Sequence, residues 1–318
     1  MLRAFTRHVV GGGIDPSVEV DSLNIFGLEE SPAKLEAVIT EQQSLAQRDE
    51  SIQALLASIY LRADRAADFA CYRRSRDFEV TVKLLELFGV RRSDRICEVG
   101  GGPGFLAWAL LQSGFFHVEL LEPSDYFNTG TGYLKTRPDA AGMVIHRDLA
   151  DWHATSAPFE VVVTKNCIHH FKNLSQSAAA IRQKMRKDAL WFSFREWFAD
   201  SPSELYTLIA THPFCQRYGL YEWPYPAHHY VEAIEIAGFK LAAVVPSGYA
   251  NNCLSCFAEE PFSATERIEM AGMERVLEAS PSRTVSSFWA EVDAGRRKGR
   301  FARRYTRAQM MLFRRIEI

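Results

Sequence analysis

The sequence lacks several features that would place it in a specialised class of protein. Its 318 residues contain no apolar run of the roughly 20 residues that a membrane-spanning helix requires, so we expect no membrane partner. Six cysteines are too few for a disulfide scaffold in a chain of this size and suit reduced thiols. The formal net charge of −2 gives no excess of positive charge for binding nucleic acid. The first ten residues have only a fragmentary apolar core, unlike a secretion signal, and we therefore expect a cytoplasmic protein.

A metal-binding pattern is also missing from the sequence. Cys253-x-x-Cys256 is the one C-x-x-C pair, whereas a zinc site needs further ligands at comparable spacing. The pair falls in a strand-like stretch, where the two side chains would point to opposite faces. We interpret these cysteines as core thiols and predict no metal cofactor. The hydrophobic fraction of 47% is sufficient for a packed core.

The strongest positive signal is a glycine-rich segment between Arg95 and Phe105. A short apolar run reaches Glu98 and Val99, glycines stand at positions 100, 101, 102 and 104, and a second apolar run follows from Phe105. This pattern is typical of a strand, a tight turn and a helix, in which backbone N–H groups can approach a ligand closely. The dinucleotide pattern G-x-G-x-x-G would need glycine at position 105, where this chain has phenylalanine.

The observed pattern is E-x-G-x-G-x-G, on Glu98, Gly100, Gly102 and Gly104, with Gly101 inside the turn. It resembles motif I of the class I S-adenosylmethionine (SAM) dependent methyltransferases, and the resemblance extends over roughly residues 90–258. It implies an α/β, Rossmann-like fold: a doubly wound, mostly parallel sheet with an antiparallel last strand. It also implies SAM as the cofactor, with these five residues in its binding site.

Three more strand-like stretches follow the glycine turn in the expected order. The second strand ends at Glu122, about 20 residues past the turn, where a carboxylate can meet a ribose diol. The third ends at Asp148 and Leu149, and the fourth runs into a loop that begins at Asn166. The resemblance implies that Glu122 binds the ribose, that Asp148 and the backbone beside it read adenine, and that the Asn166 loop faces the transferred methyl group. The alternative is a sheet whose acids only cap its strands.

Candidates for a catalytic base follow the fourth and fifth strands. His169 and His170 stand after the fourth strand, and a histidine near its ordinary pKa can take a proton from a hydroxyl acceptor. A His-His ending here is frequent in the resembling family, which favours a structural role for at least one of the two. Glu196 ends the fifth strand at the same rim and is a rival base. His228 and His229 open a later helix and could also reach that rim.

The chain divides into three predicted regions. Residues 1–90 form a helical N-terminal cap, residues 91–258 form the methyltransferase domain with a lid and acceptor insertion at 197–227, and residues 259–318 form a C-terminal helical extension. Within the cap, Tyr72-Arg-Arg-Ser-Arg76 is either a solvated basic face or a contact for the methionine carboxylate of the cofactor.

Two further strand-like stretches close the predicted methyltransferase domain. Residues 239–246 and 252–258 are strand-like, and the resemblance implies that these last two strands are antiparallel neighbours. The expected activity is methylation of a small-molecule acceptor, first of all O-methylation of a sugar or natural-product intermediate. The alternatives are N- or C-methylation, or a SAM-binding scaffold without catalysis.

Overall fold

The computed structural model describes residues 32–154, 157–171, 173–196, 198–199, 202–211, 224–250, 259–298 and 310–317. The strands in this part of the chain are β1 Arg95–Val99, β2 His117–Leu121, β3 Val144–His146, β4 Phe159–Lys165, β5 Met185–Phe194, β6 Phe239–Val245 and β7 Met310–Arg315. They form one seven-stranded sheet in the order β3-β2-β1-β4-β5-β7-β6. Strands β1 to β5 pair in parallel, and β7 runs antiparallel to both of its neighbours. The predicted fold class is therefore confirmed.

Helices cover both faces of this sheet. Those in the described residues are α1 Pro32–Leu45, α2 Glu50–Ser58, α3 Arg65–Arg74, α4 Arg76–Leu87, α5 Phe105–Gln112, α6 Leu149–Ala154, α7 Leu174–Gln183, α8 Pro202–Thr211, α9 Ala227–Ile236, α10 Ala264–Ala279 and α11 Pro281–Lys298. One core joins α3, α4, α5 and α10 to the sheet, and the other joins α6, α7, α9 and α11 to its opposite face. Because both faces are covered, the strands read as nearly continuous apolar runs rather than alternating ones.

The first strand shows how the two cores share the sheet. Ile96 and Cys97 are both fully buried, but Ile96 belongs to the core with α5 and Cys97 to the core with α7. Successive side chains of a strand point to opposite faces, so one apolar run supplies both cores. Strand β1 therefore packs on both sides of the sheet and ends at Val99, directly before the glycine turn.

Strand β7 corrects the sequence prediction. The antiparallel strand was expected at residues 252–258, which lie outside the described residues, and residues 259–318 were assigned to a helical extension. The structure instead places Met310–Arg315 between β5 and β6. Its first four residues, M-M-L-F, are each at most 2% exposed. A short apolar run such as this carries no period that separates a strand from a buried helix, which is why the pattern missed it.

The N-terminal helices also begin and end at other residues than predicted. The spacing of apolar residues such as Leu55, Leu56 and Ile59 in the sequence predicts one helix over about 51–67 and another over 69–88. Asp49, Asp64 and Ser75 instead cap three separate helices, each accepting backbone N–H groups of the first turn. Side-chain caps of this kind stabilise a helix start by about 1 kcal/mol, enough to set boundaries that periodicity alone leaves open.

Candidate functional site

The centre of the sheet is where its strand order reverses. The chain leaves β1 towards β2 and β3 on one side, and β4 and β5 lie on the other. In open α/β sheets, ligands bind at such a switch point, outside the carboxyl ends of the strands. The glycine turn, residues 100–104, follows β1 there, and the loop that begins at Asn166 follows β4. The two touch: a Cβ atom placed on Gly100 would lie 2.2 Å from the Cys167 Sγ.

Glycine is required throughout the turn, for two reasons. Gly100, Gly102 and Gly104 have φ angles of 69°, 53° and 81°, a left-handed conformation that glycine adopts without strain. Gly101 has no such angle, but a Cβ atom on it would lie 2.7 Å from the Glu98 Cδ. The structure therefore assigns all four predicted glycines to one closely packed turn.

Glu98 lies beneath this turn and holds its shape. Its side chain is buried, and its Oε2 accepts a hydrogen bond of 2.8 Å from the Ala107 N–H in the first turn of α5. Gly104, the N-cap of that helix, has no side chain with which to do so. Burial raises the pKa of Glu98 to about 8. The contact is with the protein's own helix, and binding of a cofactor by Glu98 stays a prediction.

Glu122, at the end of β2, reaches the same turn. Its Oε2 accepts a 2.8 Å hydrogen bond from the Gly102 N–H, and its Oε1 accepts a 2.9 Å bond from the Ser124 N–H. Burial raises the pKa of Glu122 to about 7, and the two backbone bonds only partly offset that effect. A carboxylate oxygen can accept more than one hydrogen bond, so both oxygens keep capacity for ligand hydroxyls.

Asp148 and Leu149 stand where β3 meets α6. Asp148 Oδ1 accepts a 2.6 Å hydrogen bond from the Asp151 N–H and so caps the short helix that begins at Leu149. The Leu149 side chain is buried in the core with α7. These contacts are structural, and the reading of adenine by this segment stays a prediction.

Two residues at the carboxyl edge have an unusual backbone. Asn166 and Arg195, which directly follow β4 and β5, have φ angles of 48° and 59°. The Asn166 N–H donates to the carbonyl of Phe194, the residue before Arg195, at 2.8 Å, and this bond links the ends of the two strands. Left-handed residues other than glycine cost about 1–3 kcal/mol and cluster at functional sites. The Asn166 side chain is exposed at this edge.

Glu196 joins the ends of β4 and β5 into one unit. Its Oε1 accepts from the Cys167 and Ile168 N–H groups at 2.6 and 3.1 Å, and its Oε2 lies 2.9 Å from His169 Nδ1. Glu196 and His169 are each 1% exposed, whereas His170 is half-buried. The two imidazole rings are 4.1 Å apart between centroids. The three predicted catalytic residues thus meet, with Glu196 and His169 forming a buried clasp.

A buried charge cluster next to this clasp was missed by the sequence analysis. Lys165 Nζ donates to Asp77, to the Tyr72 Oη at 2.9 Å and to the Thr81 Oγ1 at 3.4 Å. Burial lowers the pKa of Lys165, against the opposing effect of Asp77. Tyr72 is therefore held by a cation at the sheet edge, while the neighbouring Arg73 is exposed. The available signal was a lysine that ends the apolar run F-E-V-V-V-T-K.

The other predicted rim residues lie near the same edge. Pro226, just before α9, forms a bridge with Ala199, which follows β5. His229 is exposed in the first turn of α9, with its ring centroid 4.5 Å from that of Tyr225. Residues 212–223 of the predicted lid insertion and the Cys253–Cys256 pair lie outside the described residues.

The described residues contain neither a metal-binding cluster nor a membrane-spanning helix. No group of three or more His, Cys, Asp or Glu side chains in that part of the chain is arranged to hold a metal ion. None of the helices described is both long and apolar enough to cross a membrane.

Comparison with known proteins identifies a family and a set of similar folds. A family model described as a methyltransferase domain matches residues 72–244, more than half of the chain. No curated protein sequence matches significantly. Similar solved structures include the [4+2]-cyclase SpnF, with a TM-score of 0.46, 12% identity and coverage of 76% of this chain and 82% of that one.

Two other similar structures contain S-adenosylhomocysteine. Phosphoethanolamine N-methyltransferase 2 of Haemonchus contortus, in complex with phosphomonomethylethanolamine and S-adenosylhomocysteine, has a TM-score of 0.44, 13% identity and coverage of 75% of this chain and 52% of that one. Magnesium protoporphyrin IX methyltransferase of Synechocystis PCC 6803, also with S-adenosylhomocysteine bound, has a TM-score of 0.39, 13% identity and coverage of 53% and 74%.

Proposed function

Because the chain belongs to the methyltransferase-domain family, we propose that it transfers a methyl group from SAM to a hydroxyl of a small-molecule acceptor. The observation that carries the choice of cofactor is the contact between Glu122 and the Gly102 N–H at the switch point of the sheet. It places a carboxylate with spare acceptor capacity beside a turn without side chains. That combination suits a ribose diol with the rest of the nucleoside close to the backbone.

The residues present fit SAM in this crevice. Glu122 would accept hydrogen bonds from the ribose hydroxyls, and the glycine turn would admit the ligand against the backbone. When bound, SAM supplies a methyl group on a sulfonium that is already electrophilic. The protein then has to align donor and acceptor at a near-attack distance and exclude water.

A hydroxyl acceptor must also lose its proton, and His170 is the residue we assign to remove it. It is half-buried beside the edge of the sheet, whereas His169 and Glu196 are buried against each other. Glu196 already accepts from two backbone N–H groups and faces His169, which makes it an anchor for the loop rather than a base. His169 positions His170 by ring contact.

The cofactor assignment is tested by calorimetry on the purified protein. S-adenosylhomocysteine should bind with a dissociation constant of micromolar order, a free energy of about −8 kcal/mol, and NAD should not bind. Binding of NAD without binding of S-adenosylhomocysteine would overturn the assignment. Methyl transfer is then measured with methyl-labelled SAM and pools of small metabolites, and analysis of the product separates O-methylation from N- and C-methylation.

Glu122→Ala should weaken binding of S-adenosylhomocysteine by about 1.5–3 kcal/mol, the scale of hydrogen bonds to a charged group. The melting temperature of the ligand-free protein should hardly change, because the lost backbone bonds are offset by relief of an unfavourably buried carboxylate. Glu278→Ala is the matched control, since Glu278 is an exposed glutamate on α10. An unchanged dissociation constant for Glu122→Ala would remove Glu122 from the site.

The raised pKa of Glu122 predicts opposite effects of pH on stability and on binding. A carboxyl whose pKa rises from 4.5 to about 7 on folding stabilises the ligand-free protein fully below pH 4.5, and this contribution is lost as the pH rises towards 7. Ribose hydroxyls donate best to the ionised form, so affinity for S-adenosylhomocysteine should increase over the same rise. Melting curves and calorimetry between pH 5 and 8 measure both trends, and Glu122→Gln should flatten both. Equal pH profiles in the two proteins would contradict the assignment.

A further inference from the structure

The segment between β2 and the 3-10 turn Leu134–Thr136 is a closely folded loop, residues 123–133, here called the β2 loop. The Thr131 N–H donates to the Ser124 carbonyl and the Gly132 N–H to the Tyr126 carbonyl, each at 3.0 Å. A Cβ atom placed on Gly130 would lie 2.5 Å from the Ser124 carbonyl oxygen. The base of the loop is therefore closely packed around Ser124.

This loop rests on the candidate cofactor site. At its start, the Ser124 N–H donates to Glu122. At its tip, the Thr129 carbonyl oxygen lies 3.4 Å from the position that a Cβ atom on Gly102 would occupy. The β2 loop thus forms one wall of the crevice in which Glu122 and the glycine turn meet.

The tip of the loop is held by the N-terminal helix α1. The Glu36 carboxylate accepts hydrogen bonds from four donors: the Asn128 N–H at 3.0 Å, the Asn128 Nδ2 at 2.8 Å, the Thr129 N–H at 3.0 Å and the Thr129 Oγ1 at 3.0 Å. The other end of the Asn128 amide accepts from Gln43 Nε2, also at 3.0 Å. Glu36 and Gln43 are seven residues apart, which places them on one face of the helix two turns apart.

The tip therefore depends on a distant part of the chain. The backbone N–H groups of Asn128 and Thr129 donate to Glu36, a residue of a helix more than 90 residues earlier in the sequence. Hydrogen bonds to a carboxylate are about twice as strong as those between neutral groups, and removal of the acceptor leaves several donors without it at once. Loss of Glu36 should free the tip to move away from the glycine turn.

We propose that Glu36 is a positioning residue for the cofactor site, and this inference rests on the proposed function. By holding Asn128 and Thr129, α1 keeps the β2 loop against the glycine turn and Glu122, so that docking of α1 and binding of the cofactor favour each other. Coupling between two binding events is reciprocal. Bound S-adenosylhomocysteine should then stabilise α1 by the same factor by which α1 strengthens cofactor binding.

The test compares Glu36→Gln with Glu41→Gln, a change of the same kind at an exposed position on the same helix. In Glu36→Gln the new side-chain amide keeps one acceptor oxygen, but its NH₂ group faces two of the four donors. We expect the dissociation constant of S-adenosylhomocysteine to rise about tenfold in Glu36→Gln and by less than about twofold in Glu41→Gln. 5′-Methylthioadenosine lacks the amino-acid portion of S-adenosylhomocysteine. Its dissociation constant should rise by the same factor in Glu36→Gln, because the β2 loop lies on the Glu122 side of the site.

Hydrogen exchange gives the readout that separates positioning from general destabilisation. In the wild type, S-adenosylhomocysteine should slow exchange in residues 32–45, and in Glu36→Gln this slowing should disappear while that of the glycine turn persists. Equal affinities in wild type and Glu36→Gln, or equal losses in Glu36→Gln and Glu41→Gln, would overturn the inference and leave the proposed function intact. Absence of binding to the wild type would overturn both.

Discussion

Gly102→Val should reduce the affinity for S-adenosylhomocysteine at least 100-fold while the protein still folds. Gly102 has a φ of 53°, and a β-branched side chain is strained in that conformation by about 1–3 kcal/mol. The new Cβ atom would stand 3.4 Å from the Thr129 carbonyl oxygen, and its methyl groups would occupy the space over the turn. The same change disturbs the N–H group that donates to Glu122. Calorimetry gives the affinity, and far-ultraviolet circular dichroism checks the fold.

Gly142→Val is the control for this substitution. A Cβ atom on Gly142 would have no neighbour within 4 Å, and its φ is not positive. Binding should be retained there within about twofold, since valine in open space at the surface changes free energies by only about 0.5 kcal/mol. Full binding by Gly102→Val would show that the ligand does not approach this turn, and would remove the main support for the cofactor assignment.

His170→Ala should lower kcat by a factor of about 10²–10⁴, the usual contribution of a positioned general base. Its affinity for SAM should stay nearly constant, because His170 is assigned to the acceptor side and not to the turn or to Glu122. Single-turnover measurements with a hydroxyl acceptor identified by product analysis give the rate of the chemical step.

His169→Ala should behave differently and serves as the comparison. Without the His169 side chain, the buried Glu196 loses one hydrogen-bond partner. Glu196 also accepts from the Cys167 and Ile168 N–H groups, so the loop after β4 is disturbed. The Cys167 thiol packs against Gly100, so a disturbed loop displaces the glycine turn. Melting temperature and cofactor affinity should therefore fall together. If both variants retain full turnover on a hydroxyl acceptor, neither histidine is the base, and His229 becomes the next residue to replace.

The parts of the site that the sequence predicted are those carried by short segments. The glycine turn, Glu122 at its interval of about 20 residues, and the order of β1 to β5 all follow from local patterns of apolar residues and glycine. The resemblance predicts that Glu98 binds the cofactor, and this role stays a prediction; the structure shows that Glu98 accepts a hydrogen bond at the start of α5. A local sequence pattern can show that an acid stands beside a turn. It does not show whether the acid accepts from a ligand or from a backbone N–H of the protein itself.

The missed parts depend on partners far apart in the chain. Lys165 meets Asp77 across 88 residues, and Glu36 meets Asn128 across 92. Lys165 ends an apolar run and Glu36 stands in a helical stretch, but the fold supplies the partner of each, and the local sequence does not show that partner. Strand β7 was missed because its short apolar run has no period that separates a strand from a buried helix, and its neighbours β5 and β6 lie far away in the sequence.

That slot has a consequence for how the chain is made. Strands β5 and β6 leave the ribosome well before β7, yet they cannot pair with each other in the finished sheet, because β7 lies between them. Until residues 310–315 emerge, β5 keeps one unpaired edge and β6 has no partner in the sheet, and unpaired edges are the kind of surface on which aggregation begins. Leu190 of β5 pairs with Arg314 of β7, and strand pairing between residues so far apart in sequence is slow. Synthesis of this protein thus contains an interval in which β1 to β6 are made but the sheet still lacks the strand between β5 and β6.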